Sequence, residues 1–567
     1  MKLKKILLSA AVLIMLGGCK KFDDKLSGLL DNPSLPSPDA ADADLYLNNL
    51  QLGFQSFYQQ ASDLTDPLTR METMFGPLYY NAYSPVSFDG IWTTAYTSVF
   101  KTANTMIPLA EAKSEFIHSG IAKTLKAYTM LTMVDLFGDI PYSEANQGVA
   151  NTNPKVDPGA SIYDSALTLL DDAIATFAKS SLASPGNDLF YGGDPAKWTT
   201  FAKTLKLKAY VQTRLVDNTV AANISSLLSD GDLITSAAQD FVFQFSTHNS
   251  APDSRASHYV SNYGTNTGTA DYLGNYFMWC LAVEKGMVDP RTRYYIYRQM
   301  DDISLGTYNY SDSRLPDQTT TQFALACYYR NPPTQYTPGT PYCIVGNGYW
   351  GRDHGNNEGT GPDGLLKSTW GVYPVGGCFD ADQNDQVGPD FEAGAKGDGI
   401  NPIWLSSYTY FLEAEAALTL GTDGDPEALL LSGVNASLSK VANFPASIGY
   451  ALPSAADTTM TITAYKQQQY VSKVKALYDA ATTPAAKLNV IMKEYYLAAW
   501  GNGVEPFNNY RRTSCPNNLQ PAVNPDPGTF IQSFFYASVY ANYNKSAVQK
   551  TTVGVKVFWD NNPDDLK

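Results

Sequence analysis

The sequence predicts a mainly α-helical protein in which paired helices pack into an array, with long loop-rich insertions and little β structure. Two stretches carry this prediction. Residues 121–141 are apolar on almost every side at 100° per residue, and Gly138 and Pro141 mark a sharp end. Residues 194–216 offer Asp194 as an N-cap, a proline at the first helical position and a stripe of apolar side chains. Because a helix that is apolar all round is normally buried, these helices must pack against neighbours.

The remaining apolar stripes indicate a run of helical hairpins, which suggests a solenoid. They predict helices over residues 42–60, 90–112, 162–179, 402–420 and 485–500, and a short strand over 241–245. Trp198 begins the stripe of the 194–216 helix, so we expect it in the core. The expected regions are N-terminal helix pairs (44–216), a loop-rich ligand-binding region (217–402), C-terminal helices (403–500) and C-terminal loops (501–567).

The N-terminus predicts export and a lipid anchor. Three lysines precede an apolar run at residues 6–16, which is typical of a signal peptide and shorter than the roughly 20 residues that cross a bilayer. The run ends in LGGC at 16–19, which resembles a bacterial lipobox. We therefore expect residues 1–18 to be removed and Cys19 to carry acyl chains that hold the protein on a membrane. The alternative is an ordinary secretory signal with an incidental cysteine.

The residues after Cys19 predict a tether at the cell surface. Residues 19–43 include the Pro- and Ser-rich stretch 31–39, which favours an extended, structureless spacer. Asp23 and Asp24, close behind the cysteine, resemble the surface-export signal of Bacteroidetes lipoproteins. The expected location is the outer membrane, lipid-anchored and facing the cell exterior.

Composition excludes nucleic acid as a partner and is compatible with sugar binding. The formal charge of −15 becomes −18 when the three lysines of the signal peptide are removed, so electrostatic attraction to nucleic acid or anionic lipid is absent. Aromatic residues make up 13% of the chain, with 38 Tyr and 8 Trp. Such rings can stack on sugars, but they also enrich protein cores and interfaces.

The cysteines do not suggest a metal site. Five follow Cys19, an odd number without C-x-x-C spacing, so zinc is not predicted. Cys327, Cys343 and Cys378 share one loop-rich region, where a disulfide is one alternative and free thiols the other.

Several stretches together resemble the SusD/RagB family of nutrient-binding outer-membrane lipoproteins, over most of the mature chain. They are the lipobox and residues 122–145, 191–214, 287–297, 349–356, 408–421 and 505–516. The resemblance implies tetratricopeptide-like helix pairs as a scaffold and long loops that present a ligand site. It also implies a SusC-like TonB-dependent barrel transporter as partner, over which the lipoprotein acts as a lid. Residues 539–547 depart from the usual Arg- and Pro-containing segment, which puts the C-terminal packing in doubt.

No catalytic motif is present. The chain lacks a GxSxG elbow, an HExxH motif and a Walker loop, and its four histidines are scattered. We therefore predict no catalytic residues, although a glycosidase pair of carboxylates requires only a separation that sequence does not give. Glu415 lies on the apolar face of its helix, where it either bonds to a neighbouring helix or acts as an acid catalyst.

We expect no cofactor and no metal, with calcium as the weaker alternative. Residues 380–390 begin like a calcium loop, with alternating oxygens at Asp380, Asp382 and Asn384. Asp385 then stands where the loop requires glycine, and Phe391 where the bidentate glutamate belongs. A solvated acidic loop is the favoured interpretation.

Loop aromatics are the predicted ligand-binding groups. Aromatic rings alternate with turn residues at 76–92, 257–264 and 341–356, where they could stack on a sugar while polar groups bind its hydroxyls. The candidates are Tyr80, Tyr83, Tyr263, Trp350 and Trp370 as exposed platforms, with Arg352 and Asp353 as polar partners. The alternative is that these rings anchor their own loops or meet the transporter.

The function that follows is capture of a nutrient at the cell surface and its delivery to the barrel transporter without chemical change. An oligosaccharide or polysaccharide is the favoured ligand. A peptide or other nutrient in the same lid role is the alternative, and a glycoside hydrolase is the alternative of a different class.

Overall fold

The computed structural model describes residues 42–263, 271–299, 327, 330–357, 367–382, 392–563 and 566, and the backbone of the strands Thr307–Ser311 and Thr320–Ala324. The signal peptide, Cys19 and the tether up to residue 41 lie outside the described residues, as do 383–391 of the acidic loop.

Helices dominate the described chain. In order they are α1 Ala43–Thr65, α2 Tyr79–Ala82, α3 Asp89–Thr93, α4 Lys101–Ala112, α5 Phe116–Phe137, α6 Gly159–Phe177, α7 Pro195–Gln212, α8 Val220–Asp230, α9 Ser257–Tyr263, α10 Asn275–Ala282, α11 Thr292–Tyr295, α12 Ser406–Leu420, α13 Pro426–Ser447, α14 Ala464–Ala480, α15 Pro484–Ala498, α16 Val504–Thr513 and α17 Ser538–Ala541. Short 3-10 turns lie at Pro67–Thr69, Pro85–Phe88 and Gly148–Ala150, and a π-helical segment, Thr94–Phe100, joins α3 to α4.

Neighbouring helices pack as pairs. Helix α5 packs on α6, α4 and α1, α7 packs on α6, and α12 packs on α13 and α15. Nearly every side chain of α5 is buried, as its apolar surface predicts. It ends at Gly138, whose φ of 72° and ψ of −126° lie outside the left-handed helical region expected for this glycine but still in a region that side chains disfavour. The mainly α fold class predicted from the sequence is confirmed.

The β structure consists of two-stranded pairs. Strand β1 (Phe241–Gln244) pairs antiparallel with β6 (Ile400–Trp404), with Phe241 opposite Trp404. Strands β2 (Ile296–Tyr297) and β5 (Thr369–Trp370) form a second antiparallel pair. Strands β3 (Thr307–Ser311) and β4 (Thr320–Ala324) form a third. The helix predicted over 402–420 is therefore wrong at its start, because residues 402–404 are held in the β1–β6 pair.

The N-terminal core is organised around Trp198, which is completely buried. Its ring packs edge-on against Phe201 and Phe241, and those two rings stack with centroids 3.9 Å apart. The Nε1 of Trp198 donates to Oδ2 of Asp188 at 2.7 Å, which satisfies the indole donor. The sequence-based placement of Trp198 in the core is confirmed.

Glu415 joins three parts of the chain. Its carboxylate is fully buried and accepts hydrogen bonds from Arg214 Nε at 2.7 Å and Arg512 Nη2 at 2.6 Å. Burial acts to raise the pKa of Glu415, but the two arginines outweigh it and hold that pKa below its ordinary value. The carboxyl group is thus ionised and committed to α16 and the end of α7, as one of the two sequence interpretations predicts, and is unsuited to donate a proton.

Candidate ligand-binding face

Asp353 connects the loops that carry the predicted site. Only 1% of this residue is exposed. Its Oδ2 accepts from the backbone N–H of Cys343 at 2.8 Å, and its Oδ1 accepts from Asn275 Nδ2 at 3.0 Å and Gln520 Nε2 at 2.9 Å. Burial raises the pKa of Asp353, which the three donors counteract. These contacts connect the 341–356 loop to α10 and to the chain after α16, residues 514–563, which we call the C-terminal segment. Asp353 therefore holds these parts of the chain together.

Trp350 and Arg352, which neighbour Asp353 in the sequence, are also buried. Trp350 is buried, and its backbone N–H donates to Ser368 Oγ at 3.1 Å. The guanidinium of Arg352 lies 4.5 Å above the ring of Tyr272. The expectation that Trp350 offers an exposed platform is wrong, because the chain on both sides of it pairs with other buried segments, including Arg352 N–H to Leu273 O at 3.0 Å.

Tyr263 and Trp370 belong to the core. Trp370 lies between Trp500 and His258, with ring centroids 3.9 Å and 4.3 Å away. The hydroxyl of Tyr263 donates to the carbonyl of Trp370 at 2.6 Å and accepts from the N–H of Cys378 at 2.9 Å. Neither residue is exposed to solvent, so the expected exposure of both rings is also wrong. Whether any of these residues contacts a ligand remains a prediction that the structure does not test.

Tyr80 is the predicted platform that the structure exposes, at 59%. Tyr83 is half-buried, with its ring edge-on to Phe534 at 5.8 Å. Phe75 is a further accessible ring that is not among the predicted platforms; it is 41% exposed and packs edge-on against Tyr272 at 5.7 Å. Its position one residue before the 76–92 cluster is the available signal, but the predicted platforms are all tyrosines and tryptophans.

A tight turn presents Phe75 and Tyr80 from the same short segment. A Cβ at Gly76 would lie 2.7 Å from the Cα of Ala82, so only glycine allows the turn to close. The C-terminal segment braces it, since Tyr79 N–H donates to Pro527 O at 2.9 Å and Asn524 Nδ2 donates to Pro77 O at 3.4 Å.

The 330–342 stretch adds two half-buried rings beside this turn. Tyr336 and Tyr342 have centroids 5.9 Å apart. The adjacent Gln335 donates through Nε2 to the carbonyl oxygens of Ala522 and Val523, on the same C-terminal segment that braces the turn. We use the term loop face for the accessible rings that these segments carry: Phe75, Tyr80, Tyr83, Tyr336 and Tyr342.

A disulfide joins the two ends of the stretch that carries Tyr336. Cys327 and Cys343 are bonded with an S–S distance of 2.07 Å across a sequence separation of 16. This bond decides between the alternatives that the sequence left open for the loop cysteines, and Cys378 takes no part in it. Because Cys343 N–H also donates to Asp353, the covalent bond and the hydrogen-bonded loops meet at one residue.

A charged cluster lies beneath the loop face. Among the described residues, Glu72, His258 and Asp271 form a group whose donor atoms lie within 4.8 Å of one another. The atoms already satisfy each other: His258 Nδ1 is 2.9 Å from Asp271 Oδ2, and Trp370 Nε1 donates to Glu72 Oε1 at 3.2 Å. Burial acts to lower the pKa of His258, but Asp271 and Asp63 raise it well above its ordinary value. The arrangement is a hydrogen-bonded ion network.

The described part of the acidic loop is also committed to ion pairs. Asp380 accepts from Arg298 Nε at 2.6 Å, and Asp382 accepts from Arg293 Nη1 at 2.8 Å. Two of the oxygens that would begin a calcium loop are therefore held by arginines, and the calcium alternative itself stays untested.

Comparison with known proteins now identifies the scaffold that carries this face. A family model described as "Starch-binding associating with outer membrane", SusD-like, matches residues 41–342, which is more than half of the chain. The chain belongs to the SusD-like family. A second model, described as SusD and RagB outer membrane lipoprotein, matches residues 393–557. Membership makes this SusD-like protein a nutrient-binding protein of the outer membrane. No curated protein matches the chain.

Solved structures show the same fold at low sequence identity. A chitin-binding protein shares 18% identity with a TM-score of 0.64, covering 92% of this chain and 100% of its own. A SusD/RagB family protein from Bacteroides thetaiotaomicron shares 20% identity with a TM-score of 0.62, covering 92% and 99%. A chitin-binding SusD homolog from Flavobacterium johnsoniae shares 18% identity with a TM-score of 0.61, covering 92% and 100%. The tetratricopeptide-like scaffold implied by the sequence is confirmed.

Proposed function

We propose that this SusD-like protein captures a neutral oligosaccharide on its loop face and delivers it, uncleaved, to a SusC-like TonB-dependent transporter in the outer membrane. The observation that carries the proposal is the pair of exposed rings, Phe75 and Tyr80, on a turn braced by the C-terminal segment. A ring held in place loses little conformational freedom when a sugar stacks on it, so preorganisation favours binding. Tyrosine hydroxyls beside those faces can bond to sugar hydroxyls.

Two similar structures are described as chitin-binding, which makes chitooligosaccharides the first probes to use. A peptide nutrient in the same role is the alternative within this function, since aromatic rings also bind apolar side chains. A glycoside hydrolase is disfavoured because the buried Glu415 is held ionised by two arginines and no catalytic motif is present.

The anchor and the location are part of the proposal. None of the helices in the described chain combines the length and hydropathy that membrane crossing requires. We assign attachment to acyl chains on Cys19, with residues 20–41 as the spacer that gives the folded domain reach from the membrane. In this proposal the protein faces the cell exterior, where it can cover the mouth of the transporter.

A glycan array followed by calorimetry tests the ligand and the site. The parent protein should retain at least one neutral oligosaccharide, and chromatography of the bound material should recover it intact. Tyr80→Ala and Phe75→Ala should each weaken binding by about 1 kcal/mol, the scale of one aromatic contact, with melting temperatures nearly unchanged. Tyr465→Ala is the matched control, because Tyr465 is 68% exposed on α14, away from the loop face.

The outcomes separate the functions. Cleaved product would establish the hydrolase instead, and retention of peptides alone would establish the peptide alternative. Parent-like binding of a confirmed glycan by both loop-face variants would show that the ligand binds elsewhere on the protein.

A further inference from the structure

A second cleft lies where the C-terminal segment crosses the π-helical segment and the loop after α5. It has a volume of about 270 Å³ and is lined by Trp92, Tyr96, Asn146, Tyr540 and Tyr543, among others. We call it the C-terminal cleft. An adjoining cleft of about 240 Å³ shares Ala145 and Asn146 with it.

Three aromatic rings form one wall of the C-terminal cleft. Trp92 stacks against Tyr96 on one side, with centroids 5.2 Å apart, and against Tyr540 on the other, at 4.9 Å. Tyr543 stands at the edge of the cleft with 82% of its surface exposed. Tyr543 therefore adds an exposed ring to a cleft whose wall is aromatic.

One residue of the aromatic wall, Tyr540, has a buried hydroxyl without a hydrogen bond. Tyr540 is 6% exposed, and its hydroxyl has no hydrogen-bond partner among the described residues. The hydroxyl oxygen has less than 1 Å² of accessible surface, so it belongs to the buried side of the wall and does not face the cleft. The neighbouring Tyr96 hydroxyl is by contrast satisfied, since it donates to Pro141 O at 2.6 Å.

Hydrogen bonds hold the segment that carries Tyr540 against its neighbours. Ser538 Oγ donates to Asp89 Oδ2 at 2.5 Å, and Val539 N–H donates to Asp89 Oδ1 at 3.0 Å, which ties α17 to α3. Asn544 Nδ2 donates to Pro154 O at 2.7 Å and closes the other side.

The chemistry of the lining selects the class of ligand. None of the described residues that line the C-terminal cleft carries a charge. Asn146 is exposed on the cleft and offers an amide, and Thr152 adds a hydroxyl. Rings, amides and hydroxyls without ions fit a neutral ligand that has one apolar face and several hydroxyls. A pyranose ring has both features.

We infer that the C-terminal cleft is a second glycan-binding site, in which a neutral sugar ring stacks on Tyr543 and bonds to the exposed amide of Asn146. This rests on the proposed capture of a neutral oligosaccharide and adds a place of binding separate from the loop face. The adjoining cleft, lined by Lys126 and Tyr142 among others, lies on the other side of the shared Asn146 and offers room for a further sugar.

The test uses the mature lipid-free chain and isothermal titration with maltohexaose, cellohexaose and chitohexaose. Tyr543→Ala should lower affinity about 10-fold for at least one hexasaccharide. Tyr540→Phe keeps the ring of the wall and removes only a buried hydroxyl that the ligand does not reach, so it should bind like the parent. Its melting temperature should be equal to that of the parent or higher, because the hydroxyl has no partner to lose. Tyr465→Ala is again the control and should bind like the parent.

Each outcome decides between the two sites. Weaker binding by Tyr543→Ala with parent-like binding by both Phe75→Ala and Tyr80→Ala supports the cleft and overturns the loop face. Parent-like binding by Tyr543→Ala, with weaker binding by Tyr80→Ala, overturns the cleft alone. Failure of all three hexasaccharides to bind the parent overturns both sites as sites for neutral hexose chains.

Discussion

Removing the carboxylate of Asp353 tests whether this residue supports the loops or contacts the ligand. In Asp353→Ala, three donors lose their acceptor: Cys343 N–H, Asn275 Nδ2 and Gln520 Nε2. Each net hydrogen bond to a charged group contributes about 1.5 to 3 kcal/mol, and the cost of burying the carboxylate offsets part of the sum. We expect the free energy of unfolding to fall by roughly 3 to 5 kcal/mol, as for breaking other buried charge contacts.

This magnitude translates into a measurable shift. For a chain of about 550 residues, an unfolding entropy of about 2.1 cal/mol/K per residue sums to about 1.2 kcal/mol/K, so the melting temperature should fall by about 3 to 4 °C. Differential scanning calorimetry measures that shift, and titration with a confirmed glycan measures binding on the same samples. Asp353→Asn is the second variant. Its amide NH₂ faces donors in either orientation, so this substitution should lower the free energy of unfolding by about 1 to 3 kcal/mol.

The opposite pattern would refute the reasoning. If Asp353→Ala melts like the parent but no longer binds the glycan, Asp353 contacts the ligand directly and the loops are held by other means.

Three further predictions test the core, the anchor and the ion network. Trp198→Ala should lower the free energy of unfolding by about 3 to 5 kcal/mol, whereas Trp198→Phe should cost less, and an unchanged melting temperature for the alanine variant would contradict the packing. Cys19→Ala, expressed with its signal peptide, should move from the detergent phase to the aqueous phase, and its retention with the membrane would refute lipidation. Folding raises the pKa of His258. The contribution of protonated His258 to the free energy of unfolding is therefore fully present below the unfolded-state pKa of about 6.5, and it is lost as pH rises through the higher folded-state pKa. The stability difference between the parent and His258→Gln should therefore shrink in chemical denaturation as pH rises above about 6.5, and a constant difference would contradict the network.

The errors of the sequence analysis share a physical cause. Trp350, Tyr263 and Trp370 stand among glycines and polar residues, a pattern that is typical of exposed loops. These loops cross one another, however, and each covers the aromatic rings of the next, as Trp370 does between His258 and Trp500. A local pattern cannot register burial by segments more than a hundred residues away. The burial of Asp353 has the same cause, since Gln520 and Asn275 reach it from distant parts of the chain.

The features that the sequence determined by itself are those set by local chemistry. Helix α5 is apolar on every side, and α7 begins at an aspartate cap followed by proline, so their existence and burial, the end of α5 and the start of α7 followed from periodicity and capping alone. Together with the family motifs, this predicted the mainly α scaffold and the core position of Trp198. Only the tertiary structure decided which rings remain accessible, among them Phe75, Tyr80 and Tyr543, because exposure depends on what distant segments cover. It also placed the unbonded hydroxyl of Tyr540 beside Trp92, a juxtaposition of residues more than 400 positions apart that no local pattern contains.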